Sequence, residues 1–224
     1  KHPAAFPVAL AGRLIDSFLP PEGQTILDPF SGIGSTLVAA SERGLHSVAA
    51  EISASFCDVA RQRLRDLLPA PDVRSQPVRG DGLNGYAGLD RCDLRNNSAQ
   101  DLLASLPRGS IDLCITSPPY WDVLNARRTA DAKPIRHYGN LDQDLGTIAS
   151  YDLFLDALQS LFASVLAVLK PGAYCCVVVM DLRKKDRFYP LHSDLAARLV
   201  QCGYLWDDLI IWNRQAEYNN LRPL

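Results

Sequence analysis

Ser117, Pro118, Pro119 and Tyr120 follow directly on the apolar run Ile111–Thr116 and form the sharpest chemical pattern in the chain. Consecutive prolines hold the backbone extended and remove the N–H donors at their positions. What remains is a row of acceptors, the Ser117 hydroxyl and the backbone carbonyls, with an aromatic ring immediately after. An exocyclic amino group is a poor nucleophile, because its lone pair is delocalised into the ring that carries it. Accepting both of its hydrogens at fixed positions favours a pyramidal nitrogen with the lone pair aimed at an electrophile, and stacking on Tyr120 would hold the substrate in line. A base inside a duplex has to be flipped out to reach such a pocket. Taken alone, the same residues would also suit a plain strand end with Tyr120 and Trp121 as core aromatics.

A second pattern lies upstream, in Asp28-Pro29-Phe30-Ser31-Gly32-Ile33-Gly34-Ser35-Thr36. Gly32 and Gly34 allow a tight turn and a close backbone approach to a ligand, since no Cβ intervenes. Glu51 closes the next apolar run, roughly 20 residues on, where a carboxylate can accept both hydroxyls of a ribose. The third glycine of a dinucleotide fingerprint is replaced by Leu37, and no P-loop lysine follows. A nucleoside cofactor charged through a carboxylate and an amine therefore suits the site better than a pyrophosphate. A bare turn between strand and helix is the other reading of this segment by itself.

The elements that must carry these patterns alternate in type. Val8–Leu19 has helical spacing and stops at Pro20-Pro21; Thr25–Leu27 is a short strand, and Thr36–Glu42 a helix stopped by Gly44. Ser47–Ala50 is a strand, and Ser53 caps a helix bearing Phe56, Val59, Ala60, Leu64 and Leu67 on one face. Pro71–Leu94, rich in Gly, Asp and Pro, reads as a loop or insertion, and Asp122–Ser150 is again irregular. Tyr151–Leu169 is the best helix, Ala173–Met180 the most apolar strand, Leu191–Cys202 a further helix and Leu205–Trp212 a last strand. Strands alternating with helices predict an α/β domain with a mainly parallel sheet, spanning residues 1–224 as one unit.

The bulk composition agrees with a globular domain: 224 residues, 47% hydrophobic and 21% charged, with a formal net charge of −2. That charge argues against a purely electrostatic nucleic-acid binder and leaves room for local basic patches. The six cysteines form no C-x-x-C pair and read as reduced packing residues of a cytosolic protein rather than a disulfide or zinc framework. His2, His46, His137 and His192 share no metal spacing, so no metal is expected; His192 reads as a hydrogen-bond or packing partner at a helix start. The longest apolar stretch, Leu153–Leu169, is broken by Asp156, Gln159 and Ser160, so it reads as an amphipathic helix and no membrane is expected. No signal peptide is expected, and the chain, which does not start with Met, reads as truncated at one or both ends.

On these residues the chain resembles the amino-group DNA methyltransferases, which make N4-methylcytosine or N6-methyladenine. Asp28-Pro-Phe-Ser-Gly-Ile-Gly-Ser-Thr is similar to their cofactor motif, and Thr116-Ser-Pro-Pro-Tyr-Trp to their catalytic motif. Lys1–Pro7, Tyr151–Gly172 and Phe188–His192 resemble further segments of the family. The resemblance implies a Rossmann-like methyltransferase fold with helices on both faces of the sheet, S-adenosyl-L-methionine as cofactor and S-adenosyl-L-homocysteine as product. It implies that Lys1, His2, Phe6 and Phe30 line the methionine side, that Glu51 holds the ribose, that Ile52 packs on the adenine, and that Ser31, Ser35 and Thr36 belong to the cofactor turn. The family's Gly-Asp before the helix that leads to the catalytic strand is replaced by Asn97-Ser98, which points to Ser98 as a cofactor contact, with Asp81 as its rival.

Serine before Pro-Pro favours cytosine N4 over adenine N6 within the family. Double-stranded DNA is the implied partner, and restriction–modification the implied setting. The contacting residues would be Trp121, then Arg127, Arg128, Lys133 and Arg136 in the 122–150 loop, and Arg183, Lys184 and Lys185; both basic clusters would also suit plain solvated loops. The family's sheet ends in an antiparallel hairpin, of which Leu205–Trp212 would be the first strand. A cytoplasmic, nucleoid-associated monomer or homodimer is expected. A protein glutamine methyltransferase and a non-catalytic DNA-binding subunit are the rival readings.

Overall fold

The computed structural model describes residues 6–67, 90–121, 145–184 and 186–213. The element order is α1 (Val8–Phe18), β1 (Thr25–Asp28), α2 (Ser35–Ser41), β2 (His46–Ala50), α3 (Ala54–Arg65), β3 (Cys92–Arg95), α4 (Ala99–Ser105), β4 (Ile111–Thr116), α5 (Tyr151–Val168), β5 (Leu169–Val177), β6 (Leu182–Lys184), β7 (Arg187–Tyr189) and α6 (Leu191–Gln201). β1 to β5 form a parallel sheet in the order β3-β2-β1-β4-β5, and β6 and β7 form a separate antiparallel hairpin. The strand order reverses between β1 and β4, so a crevice opens there at the carboxyl edge of the sheet, where ligands of open α/β sheets bind.

Helices cover both faces because neighbouring strand residues point opposite ways. Ile26, Leu113 and Ile115 pack against α1 and α2 through Ala11, Leu14, Ile15, Ala39 and Ala40. Leu27, Ile111 and Cys114 pack on the other face against α4, α5 and α6. β4 is buried along its whole length, which explains why its residues are apolar except for Asp112 and the terminal Thr116. α5 is long and apolar enough, by length and composition alone, to cross a membrane. Here its Phe154, Leu155, Leu158, Leu161, Phe162, Val165 and Val168 face the interior, and the Tyr204 hydroxyl donates to the Phe162 carbonyl at 2.8 Å. All six cysteines are unpaired thiols.

At the amino edge of the sheet, Asp112 ties three strands together. Its carboxylate accepts the Gln24 and Thr25 N–H groups at 3.0 Å each and the Lys170 ammonium at 2.5 Å. Burial raises the carboxyl pKa, but Lys170 and the two N–H donors outweigh it and hold the group below its ordinary value.

Three expectations are corrected. The stretch read as a loop up to Leu94 contains the start of β3, a short strand on the sheet edge with alternating charge. The basic run after Met180 is a hairpin rather than a loop at a strand end. Leu205–Trp212 lies in no ladder among the described residues, where β3 and β5 are the two edges of the sheet. Strand character needs a partner for its N–H and C=O groups. This segment instead makes local bonds, from Leu209 N–H to the Asp208 carboxylate at 2.7 Å and from the Trp206 indole to the Asp208 carbonyl at 3.2 Å.

Candidate active site

The cofactor turn is built on the end of β1. Gly32 has φ 52° and Gly34 φ 77°, the left-handed region that glycine enters without strain. Gly34 also admits α3, since a Cβ there would stand 2.9 Å from the Ala60 Cβ. Gly32 donates its N–H to Glu51 Oε2 at 2.8 Å, and Ser53 donates to Glu51 Oε1 at 2.8 Å. The glycine turn and the end of β2 are therefore one site, organised around a buried carboxylate that backbone donors fix in place. A carboxylate oxygen can accept more than one hydrogen bond, which suits the group to vicinal hydroxyls as well. The Arg63 guanidinium braces the turn through the Ile33 carbonyl at 2.6 Å.

The end of β3 joins the same site through Asn96, which the sequence patterns do not single out, and its neighbour Asn97. Asn96 donates to the Glu51 carbonyl at 2.8 Å and the Ile52 carbonyl at 3.1 Å. The Oδ1 of its neighbour Asn97 is buried without a hydrogen-bond partner among the described residues. An orphaned buried acceptor is costly unless a ligand satisfies it, and an adenine amino group is such a donor. Ser98 is engaged elsewhere. Its hydroxyl caps α4, accepting from Asp101 N–H at 3.1 Å and donating to the Asp101 carboxylate at 2.7 Å. The Ser98 hydroxyl is thus taken up by the helix cap, and the Asn97 Oδ1 beside it is the acceptor left open among the described residues. A strand end followed by Asn-Asn ahead of a capping serine is the signal that could find it.

The catalytic turn leaves β4 beside β1. The Thr116 hydroxyl donates to Asp28 Oδ1 at 2.7 Å, and Phe30 N–H donates to the same oxygen at 3.2 Å. Burial pushes the Asp28 carboxyl up to about 6, against the pull of the Thr36 and Thr116 hydroxyls and the Phe30 N–H. The next residue, Ser117, has its Oγ 3.0 Å from the Tyr120 hydroxyl, so the serine and the aromatic of the pattern face each other across the two prolines. Pro118 is buried, and Ser117, Pro119 and Tyr120 are partly open.

Of the other expected residues, Asp28, Pro29, Phe30, Ser31, Gly32, Gly34, Ser35, Glu51 and Ile52 gather at the carboxyl ends of β1 and β2. Thr36 is fully buried at the start of α2, close enough to Asp28 to draw its carboxyl pKa down. Phe6, 7% exposed, packs with α1 and β4. Trp121 is corrected. At 5% exposure it is enclosed by Tyr151 and Tyr189 and offers no surface to DNA. Arg183 is exposed on the hairpin, whereas the Lys184 ammonium lies 4.1 Å from the centre of the Trp121 ring. His192 is a hydrogen-bond partner at a helix start, its Nδ1 2.6 Å from the Asp181 carboxylate. Lys1, His2, Asp81, Arg127, Arg128, Lys133, Arg136, His137 and Lys185 lie outside the described residues.

A parallel sheet with a glycine turn on β1, a carboxylate on β2, an amide on β3 and a Ser-Pro-Pro-Tyr turn on β4 defines a Rossmann-like methyltransferase. Residues 1–62 and 111–223 match the DNA methylase family that covers N6 and N4 amino-methyltransferases. The chain belongs to that family, whose cofactor is S-adenosylmethionine. It is 26% identical over 114 residues to the type II methyltransferase M.MjaVI of Methanocaldococcus jannaschii, which covers 51% of this chain and 50% of that protein. It is 44% identical over 63 residues to the type II methyltransferase M.ScaI of Streptomyces caespitosus, covering 28% of this chain and 20% of that protein. The chain thus spans half or less of the length of these relatives. Among solved structures, precorrin 8W decarboxylase from Methanobacterium thermoautotrophicum superimposes with a TM-score of 0.51 at 14% identity, over 91% of this chain and 75% of that one, which marks a shared fold.

Proposed function

We propose that the chain is the catalytic portion of a DNA methyltransferase that methylates the exocyclic N4 of a cytosine extruded from the duplex, leaving S-adenosylhomocysteine. The observation that carries the reading is the Ser117–Tyr120 turn set next to the cofactor turn by the Thr116–Asp28 bond. Bound S-adenosylmethionine supplies an electrophilic sulfonium methyl. The Ser117 hydroxyl and the Pro118 carbonyl accept hydrogen bonds from the two amino hydrogens and aim the nitrogen lone pair. As the N–C bond forms and the S–C bond breaks, the surplus proton on the nitrogen passes through the Ser117 hydroxyl to solvent. Tyr120 stacks on the base and holds it in line. Glu51 takes the ribose hydroxyls and Asn97 the adenine amino group. Serine in place of a carboxylate or carboxamide before Pro-Pro supports cytosine N4 over adenine N6. The type II names of relatives support a role beside a restriction system.

The test is nucleoside mass spectrometry of duplex DNA incubated with the protein and methyl-labelled cofactor. N4-methylcytosine is the expected product. N6-methyladenine would overturn the base assignment and keep the site. A full-length chain that binds cofactor and methylates no base would overturn the activity and favour a binding subunit or another substrate.

A further inference from the structure

Trp121 has φ 46°, the one non-glycine among the described residues in the left-handed region, where a bulky side chain is strained. Such a conformation persists only where its surroundings over-determine it. They do so here from four directions. The indole N–H donates to the Ile148 carbonyl at 2.9 Å. Tyr151 of α5 meets the ring edge-on at 5.2 Å and Tyr189 of β7 at 5.0 Å, while Lys184 of β6 caps its face at 4.1 Å. The walls are themselves fixed: the Tyr151 hydroxyl donates to Asp194 of α6 at 2.9 Å, and Tyr151 and Tyr189 touch at 4.8 Å.

We infer that Trp121 is a positioning residue, its side chain locked in a socket formed by the β6–β7 hairpin and α5 so as to hold the Ser117–Tyr120 turn in its working geometry. Tyr120 shares a peptide plane with Trp121. Released from the socket, Trp121 would relax toward negative φ, swinging the Tyr120 ring and parting its hydroxyl from Ser117. The hairpin's inner face, Leu182, Lys184 and Tyr189, is therefore a support for the reacting turn. Arg183 and Phe188, paired across the outer face, are exposed, as is Arg187 opposite Lys184.

The inference rests on the reading of the turn as the methyl-transfer site, so its test carries a readout independent of methylation. Tyr189→Leu keeps a bulky apolar residue but removes one wall; Lys184→Met removes the charge with its stem retained, and serves if the first variant does not fold. Amide exchange by mass spectrometry is followed at residues 117–121 and, as reference, at 28–35. Cofactor Kd and the kcat for DNA methylation are measured beside it. Faster exchange confined to 117–121, with kcat at least tenfold down and cofactor Kd within twofold, is the expected result. Trp121→Phe, which keeps a ring in the socket, should restore most of kcat relative to Trp121→Leu. Parental exchange at 117–121 in both socket variants would overturn the inference, as would a fall in melting temperature with kcat and exchange unchanged. A parent protein that methylates no DNA would refute the methyl-transfer reading alone, and the exchange data would still decide the positioning role.

Discussion

The Thr116 hydroxyl donates to the buried Asp28 carboxylate across 2.7 Å and 88 residues of sequence, joining the strand that ends in the catalytic turn to the strand that ends in the cofactor turn. Thr116→Val keeps the shape and removes the donor. The loss should be about 1.5–3 kcal/mol at pH 8, where the acceptor is charged, and smaller at pH 5. The folded-state carboxyl holds its proton up to about 6, against 3.8 for the ordinary group. Its contribution to stability is thus complete below 3.8 and is lost as pH rises through about 6. Denaturant unfolding across pH 4–8 reads this slope. Asp28→Asn should flatten it, and an unchanged slope in that variant would assign the titration elsewhere.

Asn97 and Ser98 are adjacent but predicted to fail differently. Asn97→Ala removes the orphaned acceptor and should weaken cofactor binding about tenfold, worth roughly 1.4 kcal/mol, with little change in melting temperature. Ser98→Ala removes a helix cap and should cost about 1 kcal/mol of stability with cofactor affinity unchanged. Calorimetric titration with S-adenosylhomocysteine, alongside thermal melts, separates the two. Weaker binding in Ser98→Ala alone would reverse the assignment.

The parts legible in the sequence are those whose physics is local. β4 and α5 announce themselves by largely apolar content and by helical spacing, and Gly32, Gly34, Glu51 and the Ser117–Tyr120 turn by residue type at strand ends. β3 escapes notice because Cys92-Asp93-Leu94-Arg95 is an edge strand with polar residues on one face, which no apolar run marks. The hairpin escapes because three-residue strands rich in arginine and lysine look like a basic loop. Trp121 is ambiguous because an aromatic beside a catalytic turn suits either a ligand or a core. Its direction depends on the positive φ and on Tyr151 and Tyr189, which are distant from it in sequence. Leu205–Trp212 has the apolar content of a strand, but pairing decides one, and it has no ladder among the described residues.

Asp112 should produce the opposite pH response to Asp28. Its carboxyl is held below the ordinary value, so its contribution to stability is present above 3.8 and is lost as pH falls through the folded value. Asp112→Asn should cost about 1–3 kcal/mol at pH 7, because the strand-start N–H groups and Lys170 lose a charged acceptor. The penalty should shrink in acid. The residue sits at the sheet edge opposite the site, so cofactor Kd should stay within twofold; a large affinity loss would show that the two edges are coupled.

Tyr120 combines two functions that substitution can divide. Its ring offers a stacking face, worth about 1–3 kcal/mol for a base. Tyr120→Ala should therefore lower kcat/KM for DNA methylation by about ten- to hundredfold, with cofactor Kd unchanged. Its hydroxyl pairs with Ser117 at 3.0 Å and orients that oxygen. Tyr120→Phe keeps the ring and releases the Ser117 hydroxyl, so it should fall only a few-fold, and the fall should vanish in a Ser117→Ala background, where nothing is left to orient. A Tyr120→Phe loss as deep as that of Tyr120→Ala would place the main function in the hydroxyl and discard stacking as the dominant effect. Single-turnover rates on a short duplex, with each variant saturated in cofactor, make the comparison direct.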